Sequence, residues 1–64
     1  MWAEFIRAKN GYVAEIWRQV LDAEGIAVRV IPEDGDQRAG ALVPRVLYVP
    51  DSKTHVAAEI LRKV

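Results

Sequence analysis

The stretch between residues 10 and 25 constrains the fold of this chain more than any other part of it. Val13, Ile16, Trp17, Val20 and Leu21 recur three and four positions apart, so they share one stripe of an α-helix, while Glu15, Arg18, Gln19 and Asp22 take the opposite side. Asn10 suits the N-cap, where a side-chain oxygen can accept a hydrogen bond from an unpaired backbone N–H of the first turn, and Gly11 opens the turn. Gly25 stands where a helix needs a residue in the left-handed conformation to stop. Trp17 reads as a core residue. A helix with one apolar stripe has to bury that stripe against another element, and the flanking segments read as strands.

Residues 1–8 mix aromatic and β-branched residues with charges and predict a first strand, with Ala3 and Phe5 on one face and Trp2, Glu4 and Ile6 on the other. Ile26, Val28 and Val30 alternate with Ala27, Arg29 and Ile31 and predict a second strand, ended by Pro32. Residues 33–41 form a polar connection, and residues 42–49 (LVPRVLYV) predict a third strand with Pro44 near its start. Pro50, Asp51 and Ser52 then open a second helix, with Asp51 or Ser52 as the N-cap. Its stripe is Val56, Ala57, Ile60, Leu61 and Val64, and Arg62 and Lys63 sit at the C-terminal end, where the helix dipole favours positive charge.

The first strand, helix and second strand make a crossover unit, which is right-handed in nearly all known cases. The third strand is the most apolar and belongs in the centre, where both of its edges are paired. The expected fold is therefore an α+β, βαββα arrangement with sheet order 1-3-2 and both helices on one face, a ferredoxin-like split βαβ that lacks the fourth strand. One such domain accounts for residues 1–64. The sheet face away from the helices would carry Trp2, Glu4, Ile6, Arg29, Ile31, Val46 and Tyr48. That face is too apolar for a solvated surface and has the aromatic and arginine content of an interface. The outer edge of the first strand is also left open, with Glu4 and Arg7 as charges that could blunt it.

Size points the same way. A chain of 64 residues buries a modest fraction of its surface, and small domains close the gap with disulfides, a metal or self-association. There is no Cys and one His, so self-association is favoured and a homodimer is expected. Nine positive residues balance nine negative ones, which argues against nucleic acid as a partner. The absence of Cys fits a reducing compartment, and residues 1–8 read as neither a signal peptide nor a membrane span, so a soluble cytoplasmic protein with no membrane partner is expected.

The order of features resembles a bacterial domain family of unknown function known as prokaryotic signal-transducing proteins. The residues that carry the resemblance are Asn10 and Ala14-Glu15, then Leu21-Asp22-Ala23-Glu24-Gly25-Ile26 at a helix end, Val46-Leu47-Tyr48-Val49-Pro50 at a strand end, and Ala58-Glu59-Ile60-Leu61 in the last helix. It spans nearly the whole chain, and its motifs are structural. The resemblance implies a PII-like, ferredoxin-like fold and a role in signalling or regulation, with no catalytic residue to carry over. Some relatives bear a Cys-rich metal-binding tail, which this chain lacks, and nothing here matches the long nucleotide-binding loops of PII-type regulators.

Candidate chemistry in the residues is sparse. His55 is a lone His beside Lys53 and Thr54, without the partners a metal site needs. Glu33, Asp34 and Asp36 surround Gly35 but do not follow a calcium-loop pattern. Arg29, Arg38 and Arg45 near Tyr48 suggest a sheet-face RNA reader, yet the consensus and the basic charge are missing. Lys9, Asn10 and Gly11 lie at a helix N-terminus, where backbone N–H groups could hold an anion. The expectation is a non-enzymatic regulatory or protein-interaction module with no cofactor and no metal. The alternative is a small-metabolite or anion sensor, binding at the turn of Lys9, Asn10 and Gly11 or in a dimer groove.

Overall fold

A computed structural model describes residues 1–33, 40 and 42–63. It contains β1 (Trp2–Ala8), α1 (Gly11–Ala23), β2 (Arg29–Pro32), β3 (Arg45–Pro50), a short 3-10 turn at Asp51–Lys53, and α2 (Thr54–Lys63). The strands form one α+β sheet in the order β1-β3-β2, with β3 antiparallel to both neighbours. Asp34, Gly35, Asp36 and Arg38 of the connection, and Val64 of the last helical stripe, lie outside the described residues.

Both ends of α1 are closed by the residues that the sequence singles out. The Asn10 side-chain oxygen accepts from the Val13 N–H at 2.9 Å. At the other end Gly25 has φ +81°, its N–H donates to the Asp22 carbonyl at 2.9 Å, and the Ile26 N–H donates to the Leu21 carbonyl at 3.1 Å. This pair of bonds is the Schellman motif, and its usual apolar contact is present because Ile26 and Leu21 share a core cluster. Ile26 is therefore committed to ending the helix, and β2 begins only at Arg29 instead of at residue 26.

Burial on α1 is rotated from the expected stripe. Ala14 and Leu21 are buried, Val13, Trp17 and Val20 are half-buried, and Ile16 is 59% exposed. The small Ala14 side chain lets that face approach the sheet, and Ile16 falls more than a right angle away from it at 100° per residue. Trp17 packs against the cluster of Ala8, Ala14 and Leu47, as expected of a core residue.

Central strand β3 organises the interior through its alternation. Leu47 and Val49 are fully buried, whereas Val46 and Tyr48 are not. Val49 packs with Leu21 of α1 and Ala57 of α2, so both helices cover the same face of the sheet. Leu47 packs with Ala8 and Ala14.

β1 departs from simple alternation. Glu4 lies opposite Tyr48, but Ile6 lies opposite Leu47, so Phe5 is an extra residue in a β-bulge. Phe5 packs against the Val49 cluster and Ile6 against the Leu47 cluster, both on the helix side. The expectation that Ile6 shares the open face with Trp2 and Glu4 is thus corrected: the bulge turns Ile6 inward and brings Arg7, opposite Val46, to the open face.

Pro44 immediately precedes β3, and the strand starts at Arg45 instead of at residue 42. The Pro44 carbonyl still accepts from the Glu33 N–H at 3.0 Å. In an antiparallel ladder N–H direction alternates, so Pro32, next to Glu33, has its nitrogen on the outer edge of β2, where no ladder bond is lost. Before α2, the Asp51 N–H donates to the Met1 carbonyl at 2.8 Å, extending the β1–β3 ladder. Asp51 and Ser52 consequently sit in the 3-10 turn and neither is the N-cap of α2.

A Cβ at residue 25 would meet nothing within 4 Å, so a side chain there costs only backbone strain. Gly25→Ala is expected to lower stability by about 1 kcal/mol in urea unfolding. Gly25→Asn, whose side chain tolerates the left-handed region, is expected to cost less. An equal loss for the two would contradict a cost set by φ.

Candidate functional site

The open face of the sheet is built in rows across β3. Glu4, Tyr48 and Arg29 form one row, and Arg7, Val46 and Ile31 the next, with Trp2 opposite Pro50 at the end. Charges occupy the two outer strands and apolar groups the central one. Of the expected interface residues, Trp2, Glu4, Arg29, Ile31, Val46 and Tyr48 are brought together on this face, and Ile6 is not.

Two side-chain bridges cross the central strand. The Arg29 guanidinium carbon, from β2, lies 5.5 Å from the ring centroid of Trp2 on β1, so the arginine stem spans β3 and its charge stacks on the indole. Trp2 remains 40% exposed. At the other end Arg7 Nε donates to Glu33 Oε2 at 2.6 Å. Both partners are largely exposed, so this pair adds at most about 1 kcal/mol of stability. The bridges bracket Val46, Tyr48 and Ile31, and a small groove of about 350 Å³ lies beside the second, lined by Arg7, Glu33, Val43 and Pro44.

A larger groove of about 550 Å³ lies between α1 and the free edge of β2, lined by Gly11, Tyr12, Glu15, Ile16, Val30 and Arg45. Tyr12 and Ile16, one helical turn apart, leave large apolar surface in it. Arg45 donates to the carbonyls of Val43 at 2.6 Å and Gly40 at 3.1 Å. Of the residues singled out for anion binding, Gly11 lines this groove, Asn10 has its side-chain oxygen engaged with Val13, and Lys9 is exposed. Glu15, on the groove wall, accepts from Arg18 through both carboxylate oxygens, at 3.0 Å for the Nε bond, and from Gln19 at 3.3 Å. The hydrogen bonds from Arg18, then that from Gln19, hold the Glu15 carboxyl down at about 2.

The remaining candidates are dispersed. Arg29 lies on the open face, whereas Arg45 follows the alternation of Leu47 and Val49 on the helix side, so these arginines do not form one patch with Tyr48; Arg38 lies outside the described residues. Glu33 is engaged with Arg7, while Asp34 and Asp36 are outside the described residues. His55 is exposed. Among the described residues no cluster of three His, Cys, Asp or Glu is placed to hold a metal ion, and no helix is long and apolar enough to cross a membrane.

Sequence reasoning missed the roles of Arg7, Tyr12 and Ile16. The adjacent apolar pair Phe5-Ile6, within a strand that otherwise alternates, is the signal that could have revealed the bulge and with it the position of Arg7. No family model, curated protein or solved structure matches the chain.

A folded-state value below the ordinary carboxylate range means that the Glu15–Arg18 pair supports the fold above about pH 4.3, and that this support fades as pH falls toward 2. Carboxyl-detected NMR titration is expected to give a Glu15 midpoint near 2. In Arg18→Met the midpoint should return toward about 4.3. A midpoint that Arg18→Met leaves unchanged would refute the assigned cause.

Proposed function

We propose that this chain is a non-enzymatic regulatory or protein-interaction module that works through its open sheet face, and that its partner there is a second copy of itself. The observation that carries this reading is the central row of Val46 and Tyr48, backed by Ile31 and Trp2 and left uncovered by the two helices. Aromatic and arginine side chains around an apolar centre are the composition of interface cores. The edges of the sheet are poorer docking sites: β2 has four residues and ends in Pro32, and β1 is interrupted by its bulge. The βαββα order supports a ferredoxin-like split βαβ without its fourth strand, and with it membership of the bacterial signal-transducing family, acting in the reducing cytoplasm.

Sedimentation velocity is expected to show a monomer–dimer equilibrium at micromolar concentration. Val46→Lys, which places a charge at the centre of the face, should weaken it at least tenfold. A chain that stays monomeric across the micromolar range would sink the reading.

A second reading, favoured by the groove of about 550 Å³ beside Gly11, is a small-metabolite or anion sensor. Such a ligand is expected to raise the melting temperature and to shift the Gly11 and Tyr12 amide signals. Phosphate and metabolite titrations that leave both signals in place would remove this alternative.

A further inference from the structure

Glu4 and Arg29 lie in one row on opposite outer strands, with Tyr48 between them. Two strand spacings of about 4.8 Å hold their backbones roughly 10 Å apart, and no ion pair joins them. Among the described residues Glu4 has no hydrogen-bonding or ionic partner, and Arg29 has only its stack on Trp2. That stack occupies the flat face of the guanidinium and leaves its N–H rim free for a carboxylate. The other charges of the face, Arg7 and Glu33, already satisfy each other at 2.6 Å. One acid and one base are thus left unsatisfied, at matched height on opposite sides of an apolar central strand.

We infer that two copies pack face to face about a two-fold axis running parallel to β3, so that Glu4 of each protomer pairs with the partner's Arg29. This inference rests on the reading of the open face as a self-pairing surface and specifies its geometry. A rotation about that axis exchanges the two outer strands and leaves β3 over the partner's β3. Val46 and Tyr48 then meet their own counterparts, as an isologous interface requires, and the Glu4–Arg29 pair forms twice. Packed sheets lie about 10 Å apart with strands roughly 30° from aligned, a gap that extended Glu and Arg side chains bridge together. An axis running across the strands would instead set Glu4 against the partner's Arg7, in competition with Glu33. Only the axis along β3 joins the two unsatisfied charges without breaking an existing pair.

The face also sets the strength of the contact. Three strands about 4.8 Å apart and six residues rising about 3.3 Å each give roughly 300 Å² in projection, or about 1,000 Å² of accessible surface over two copies. That is near the lower limit for a specific interface, so a micromolar dimer is expected.

The test is a charge swap followed by sedimentation velocity, with far-UV circular dichroism confirming the fold of each variant. Both sites are exposed, so the substitutions are compatible with folding. Glu4→Arg and Arg29→Glu should each weaken the dimer at least tenfold, because each sets like charges opposite one another at two places. The combined Glu4→Arg/Arg29→Glu variant should recover to within about fivefold of the parent dissociation constant. If Val46→Lys breaks the dimer but the swap does not restore it, the face remains the interface and this geometry falls. If the parent is monomeric, or if Val46→Lys leaves the dimer intact, the self-pairing reading of the face falls and the geometry with it.

Discussion

The structure depends on the two-residue period of β3. Leu47 and Val49 point to one side and are fully buried, and they are the seats for the helices: Val49 contacts clusters from α1 and α2, and Leu47 meets Ala14 of α1. Placing this strand in the centre pairs both of its edges and fixes the order β1-β3-β2. The same period sends Val46 and Tyr48 to the other side, where the described helices do not reach. The core and the uncovered face are therefore set by one alternation, and a one-residue slip of β3 would exchange them.

The bulge at Phe5 reconciles β1 with that alternation. A regular seven-residue strand would have sent Phe5 and Ile6 to opposite faces, leaving one bulky apolar side chain among the charges of the open side. With the bulge both turn inward, one toward each core cluster, and Arg7 comes out opposite Val46. Arg7 can then cross to Glu33, so a local irregularity in the first strand produces an ion pair with the far side of the sheet. The charge pattern of the open face is as much a product of the bulge as of the residues themselves.

Much of the fold was legible because the relevant signals are local. Asn10 and Gly25 mark the ends of α1 by chemistry that needs no tertiary context, and the apolar run in β3 marks a central strand. What escaped depends on competition between elements. Ile26 looks like the start of β2 but is used to close α1, and Asp51 looks like a helix cap but donates to the first strand's backbone. Ile16 follows the helical period yet lies outside the contact, because Ala14 and not a larger residue sets where the helix meets the sheet. On the open face Trp2, Glu4, Arg29, Ile31, Val46 and Tyr48 were found from alternation alone, and Ile6 was misplaced by the one position at which alternation fails.

The short second strand has a consequence for the size of any assembly. Its outer edge offers little to a neighbouring chain, since Pro32 carries no N–H and Val30 is the remaining outward-facing donor of the four residues. A sheet that is sticky on one face but poor at both margins has a single way to associate. Once that face is covered nothing equivalent is left to continue the addition, so growth stops at two and an open-ended fibre has no template to extend.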